Sequence, residues 1–460
     1  MELNESKVAG FRNPWWWVPT LYFAEGIPYF VVNNISVMMF TKMGVPNGDM
    51  SFFTTLLYFP WFLKGIWSPI VDVVKTKRWW IVMMQILMTA AMILLTLTLP
   101  FPGKETVAAG NTPISMFLVT LVIFIITAFA SATHDIAADG FYMLAHSPSS
   151  QAAFIGIRSV FYRVASVFGQ GVLVAIAGLI ETNGFSPLGV EAGNIPASWQ
   201  ITLGVAAAVF GVITLYHTFT LPHSDQDKPR VSADGGSTMG NNLKELANSF
   251  KTFFMKPGCL LAIAFMLLYR LPEGFLIKLC QPFLVHSTAE GGLGLSTELV
   301  GTVYGVFGVI ALLLGGILGG IYSSRVGLKK SLWVMAGFMT LPCLTFVYLA
   351  MAQPSNVVII TIALCIEQFG YGFGFTAYML YMMYFSEGEY KTSHYAVCTA
   401  FMALSMMLPG FVAGYIQEAI GYIWFFWMVM VCCFATLVVT YFADKKIDPN
   451  YGKKEADEKK

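Results

Sequence analysis

Runs of apolar residues long enough to cross a lipid bilayer recur about twelve times along this chain. They fall near residues 15–40, 51–73, 79–100, 113–143, 154–181, 197–221, 258–285, 297–322, 331–352, 357–385, 394–420 and 422–443. Hydrocarbon offers the backbone no hydrogen-bond partners, so each run is confined to a helix that satisfies its own N–H and C=O groups. Composition agrees: 56% of the 460 residues are hydrophobic and 12% are charged, about half the charged share of a soluble domain. The expected fold class is therefore an all-α, multi-pass membrane protein whose main partner is the lipid bilayer. A net charge of +1 without a Lys/Arg run argues against a nucleic-acid partner. The first span follows a polar stretch with no signal-peptide cleavage site and reads as uncleaved. All seven cysteines fall in apolar spans without metal-type spacing and read as buried free thiols.

Charge orients the spans. Lys75, Lys77 and Arg78 follow the second span, Lys228, Arg230, Lys244, Lys251 and Lys256 the sixth, and Arg325, Lys329 and Lys330 the eighth. A further basic group lies in the tail, whereas the opposite loops hold chiefly Lys42 and Lys104. The positive-inside rule then puts both termini in the cytoplasm, with Trp15, Trp16 and Trp17 in the interfacial belt. The polar stretch 222–256 reads as a cytoplasmic linker ending in a short amphipathic helix, "LKELANSFKTFF". It separates an N-terminal six-helix bundle, 1–221, from a C-terminal one, 257–443, which leads to a tail, 444–460. The halves resemble distant copies. "LYFAEGIPYF" in the first span parallels "LYRLPEGFLI" in the seventh, and "GFYMLAHS" closing the fourth parallels "TAYMLYMMYFS" closing the tenth. Paired halves with broken helices at equivalent places suit a transporter whose site lies between the halves.

Charged side chains inside apolar spans are costly and mark function or pairing. Asp135 and Asp139 share a helix face in the fourth span. Counted outward from Pro148–Ser149, Asp139 and Arg158 are equally deep, as are Asp135 and Arg163. Both pairs are expected as locks, or as a relay or latch that breaks during transport. In the seventh span Pro272 loosens the helix between Arg270 and Glu273, and Glu273 lies near the midplane. There burial favours its neutral form and Arg270 its charged form, which suits proton coupling. Glu25 heads a face with Tyr29 and Asn33. Glu367 and Tyr371 form a similar face in the tenth span, and Gln281 lies further along the seventh. Rings, amides and hydroxyls of this kind suit a sugar. Lys64 lies within the second span. With Gly65, Lys77 and Arg78, Asp72 loosely matches the loop motif of the major facilitator superfamily, so Lys64, Asp72 and Arg78 are read as gating residues.

Six longer stretches carry a closer resemblance: "FAEGIPY", "FPWFLKGIWSPIVD", "HDIAADGFYM", "GIRSVFYRVASVFGQG", "LYRLPEGFLIKLCQPFLV" and "HYAVCTAFMALSMMLPGFVAGYIQEAIGY". In order and spacing the chain resembles the AmpG-type muropeptide permeases of the major facilitator superfamily, which are related to acetyl-CoA transporters. The resemblance implies that fold, with twelve helices in two six-helix bundles. It implies a monomeric importer in a bacterial inner membrane, taking up anhydro-muropeptides with protons and using the proton gradient rather than a cofactor. By position, Lys64, Asp72, Asp135, Asp139 and Arg163 fall on charged positions of the family pattern, and Arg270 and Glu273 on a basic and an acidic one. Glu rather than Asp at 273 and an aromatic first span with Asn33–Asn34 depart from it. They leave another oligosaccharide or an amino sugar as the alternative cargo. The six histidines are scattered and form no metal or catalytic motif, which argues against an enzyme. A passive channel remains a rival that an uptake assay separates.

Overall fold

The first span is not one helix, and its own sequence says why. Helix α1 (Val18–Phe30) has Pro19 in its first turn, where a missing N–H costs little, but Pro28 near its end. The chain then widens into a π turn, Val31–Ile35, before α2 (Ser36–Lys42). This computed structural model describes residues 13–99, 114–145, 148–223, 227–228, 247–248, 250–388, 391–449 and 451. The second span is broken as well: α3 (Asn47–Leu56) stops just before Pro60, which lies in the first turn of α4 (Phe59–Val73). Next come α5 (Lys77–Thr98), α6 (Ile114–Ala145) and α7 (Pro148–Ser166). A second π turn, Val167–Leu173, leads to α8 (Val174–Asn183), followed by α9 (Ile195–Thr220).

The seventh span divides, as Pro272 predicts, into α10 (Cys259–Leu268) and α11 (Leu271–Val285), with Arg270 capping α11. After α12 (Thr297–Thr302) and a third π turn, Val303–Gly308, come α13 (Val309–Val326) and α14 (Leu328–Thr340). The chain closes with α15 (Leu344–Ala352), α16 (Val357–Ser386) and α17 (Lys391–Asp444). Gly421, at φ 74°, interrupts α17 where the apolar pattern separates the last two spans. Among the described residues, nine helical stretches are long and apolar enough to cross a membrane, and the one β feature is the isolated bridge Phe185–Val190. The linker expected at 222–256 and the tail at 444–460 fall largely outside the described residues, as do Lys104 and His146.

Contacts group the chain into two units. Met1–Ser36 and Phe59–Lys244 form one, and Val37–Tyr58 and Glu245–Lys460 form the other. The first has a core around Trp17, Leu21, Ile81, Ala137 and Phe141. The second is centred on Phe265, Tyr269, Met335, Phe373 and Tyr378. In the second unit α13 and α16 approach until backbones touch: a Cβ on Gly315 or Gly372 would lie 2.1 Å from a carbonyl oxygen of the other helix. Two expectations change. Trp15 and Trp16 are exposed, but Trp17 is fully buried against Phe141 and belongs to the core rather than to an interfacial belt. Gly26 is a contact point between helices, because a Cβ there would meet Ala165 Cβ at 2.5 Å. Cys365 and Cys432 are half-buried, whereas the other five free thiols are buried.

Candidate functional site

In the first unit, α1, α4, α6 and α7 bring five charged groups together. Arg158 Nη2 donates to Asp139 Oδ1 at 2.5 Å, the pairing that equal depth predicts. Tyr22 donates to the same oxygen at 3.1 Å. The guanidinium lies over two rings, 4.3 Å from the centroid of Tyr22 and 5.1 Å from that of Tyr142. Asp135 is paired with Lys64 of α4, not with Arg163. The reason is azimuth. Counting outward from a hairpin sets depth, but five residues separate Arg158 from Arg163, which turns the second side chain about 140° round the helix. Glu25 faces Asp135, Asp139 and Arg158, and its Oε2 is buried without a hydrogen-bond partner. Three carboxyls thus meet two cations. The cluster is not sealed: the side chains of Lys64 and Asp139 keep 37% and 41% of their exposure.

The remaining candidates of this unit behave differently. Tyr29 joins an aromatic wall, 5.2 Å from Trp61 and 6.4 Å from Tyr162. Asn33 turns back on its own helix, donating to Tyr29 O at 3.1 Å. It is Asn34 that crosses to the second π turn, donating to Gln170 Oε1 at 3.0 Å. Arg78 ties down the end of α9, donating to Thr218 O at 2.6 Å and Leu221 O at 3.1 Å. Asp227 accepts from the backbone N–H groups of Lys77 and Arg78 at 2.7 and 2.9 Å, which caps α5. The side chain of Asp72 lies outside the described residues.

Sequence reasoning treated the histidines as scattered, and two of them are not. Gln85 Nε2 lies 3.0 Å from His134 Nε2 and 2.9 Å from His217 Nδ1, and His217 Nε2 lies 2.9 Å from Thr20 Oγ1. Gln85, His134 and His217 are all buried. Polar residues at positions 85, 134 and 217 of apolar spans were the available signal.

In the second unit, Arg270 donates to Tyr371 OH at 2.5 Å. It also sits in a cage formed by the rings of Phe375, Tyr371 and Tyr378, at 4.7, 5.5 and 5.6 Å. Glu273 on α11 and Glu367 on α16 are buried and face each other. Each keeps one oxygen without an assigned donor. Gln368 Nε2 donates to Glu367 Oε2 at 2.9 Å. Gln281 is buried eight residues beyond Glu273, about 12 Å along the helix, so it stands apart from this pair. Two carboxyls in contact cannot both ionise cheaply.

Comparison with known proteins agrees with this architecture. The chain is 24% identical over 434 residues to the "Putative transporter AmpG 4" of Rickettsia conorii, covering 92% of this chain and 95% of that one. An uncharacterized Haemophilus influenzae protein is 22% identical over 89% of both chains. In fold, a D-xylose–proton symporter matches with TM-score 0.67 at 12% identity, over 95% of this chain and 98% of that one. A bacterial homolog of the lysosomal transporter Spinster, inward-facing and unoccupied, matches with TM-score 0.66 at 15% identity, over 93% and 95%. The family model for the Major Facilitator Superfamily covers residues 20–396, and this membrane transporter chain belongs to that superfamily.

Proposed function

We propose that this chain is a proton-coupled importer of anhydro-muropeptides in a bacterial inner membrane, working by alternating access between two bundles with both termini cytoplasmic. The similarity to AmpG-type proteins supports the cargo class. The observation that carries the coupling is the contact between Glu273 and Glu367. A buried acid pair with one shared proton changes charge when that proton leaves, and the low dielectric makes the change felt by its neighbours. Cargo and a proton enter from the periplasm, and the singly protonated pair, its one remaining negative charge beside Arg270, lets the loaded protein reorient. Proton loss to the cytoplasm then resets it. Tyr29, Trp61 and Tyr162 offer ring faces to the apolar side of a sugar, which also suits the alternative of another oligosaccharide or an amino sugar.

Uptake into proteoliposomes tests the reading. An anhydro-muropeptide should accumulate above its external concentration when the outside is acidic, and merely equilibrate when the gradient is collapsed. Accumulation that ignores the pH gradient would rule out coupling. Gradient-driven uptake of neutral disaccharides but not of muropeptides would favour the alternative cargo.

A further inference from the structure

Lys278 is a buried lysine with no acid beside it. It lies midway along α11 and is 4% exposed. Its ammonium has three donors. One goes to Thr54 Oγ1 at 3.1 Å, and the ring of Tyr58 is 5.1 Å away. Thr54 spends its own proton on Met50 O at 2.7 Å, so it gives Lys278 only a lone pair. Among the described residues no carboxylate pairs with Lys278, and no charged group on any neighbouring helix acts on it. The two charged pairs of the first unit show the contrast: Lys64 has Asp135, and Arg158 has Asp139. One turn further along α11, on the same face, Gln281 is also buried, and its Oε1 has no partner.

We propose that Lys278 binds an anionic group of the cargo, a carboxylate carried beside a hydroxyl or amide N–H. The carboxylate takes the two unused ammonium donors, and Gln281 Oε1 accepts from the neighbouring N–H or O–H. A charge this deep is tolerated when a counter-charge arrives with the ligand, since an unpaired buried ammonium is costly. The lid over the ammonium is the last turn of α3. It ends at Leu56, where the second span is already broken, so it can shift without unwinding a continuous helix. Gly410 packs closely against the lysine stem on the other side: a Cβ there would lie 3.1 Å from Lys278 Cε and 2.4 Å from Thr55 Oγ1. The inference rests on the transporter reading and narrows its cargo to sugar acids and their conjugates.

The purified full chain in detergent provides the test. Thermal stabilisation is titrated with N-acetylmuramic acid and glucuronic acid, and with the neutral sugars N-acetylglucosamine and glucose, since a ligand of the folded state raises its melting temperature. Wild type should respond to at least one acid at about tenfold lower concentration than to the neutral sugars. Lys278→Arg should keep that preference. Lys278→Met, which retains the volume of the stem, should abolish it. An acid preference that survives Lys278→Met, or no acid preference in wild type, overturns the proposal. A preference for glucuronic acid alone keeps the site and removes the muropeptide reading. Gradient-driven muropeptide uptake without any acid preference does the reverse.

Discussion

The two units hold matching tyrosine pairs at one spacing, edge-to-face in the first (84°) and stacked in the second (25°), with different charges around them. In the first, Tyr22 and Tyr142 lie with ring centroids 5.8 Å apart. In the second, Tyr269 and Tyr378 are also 5.8 Å apart. These are the tyrosines that the parallel segments "LYFAEG" and "LYRLPEG", and "YML" in both halves, place in register. An arginine rests on each pair, but Arg158 comes from α7 whereas Arg270 caps α11. The acids diverge most. In the first unit Asp135 and Asp139 are each paired with a cation, and in the second Glu273 and Glu367 face one another. A repeat can therefore keep its tyrosines and their spacing while reassigning its electrostatics. Packing is shared by many residues, whereas one substitution moves a charge.

The largest effect should come from Glu273→Gln, which ends the acid–acid contact of the second unit. One pH unit sustains about tenfold accumulation per proton, so the variant should lose about tenfold in gradient-driven uptake while still exchanging cargo across vesicles. Wild-type accumulation would move the coupling site to the first unit, with Asp135 or Glu25 next in line. In that unit Asp139→Asn leaves Arg158 without its acid. A fully buried pair broken this way costs about 3–5 kcal/mol. Asp139 keeps 41% exposure, so about 2 kcal/mol is expected. Adding Arg158→Gln should return part of that loss, and simple additivity of the two melting-point shifts would mean the pair is not energetically coupled. Gln85→Leu removes the amide between two buried histidines and should cost about 1–3 kcal/mol. An unchanged melting temperature would mean that water replaces it. Smallest of all, Arg163→Gln should change stability by less than about 0.5 kcal/mol, whereas Lys64→Gln strands Asp135. Equal losses in these two variants would restore Arg163 as the partner of Asp135.

Much of the fold was legible because the bilayer writes it in one dimension. Apolar runs, Pro272 at the break in the seventh span and the boundary at Gly421 needed only local sequence. Depth was legible too, which is why Asp139 and Arg158 could be matched. What one dimension hides is rotation about the helix axis and the identity of the third helix. Hence depth alone points Asp135 to Arg163 rather than Lys64, nothing local separates Asn33 from Asn34, which crosses to another helix, and no spacing links Gln85 to His134 and His217. The partner of Glu273 was hidden for the same reason: Glu367 was visible as a buried acid, but nothing in its spacing said which helix it faces.

The segment Val37–Tyr58 is made early and packs with residues made late. Asn47 Nδ2 donates to Gln417 Oε1 at 2.6 Å and to Tyr422 OH at 3.1 Å, and the backbone N–H of Gly48 donates to Glu418 Oε1 at 2.9 Å. The Asn47–Gln417 and Gly48–Glu418 partners are 370 residues apart. At about 5–20 residues per second, a ribosome needs roughly 20–70 s to cover that distance. Throughout that interval the polar groups on α3 must be satisfied by water, headgroups or a chaperone. A chain stalled before α17 has the whole first unit but leaves this early segment without its contacts on α17, a ready mark for membrane proteases to recognise an unfinished product.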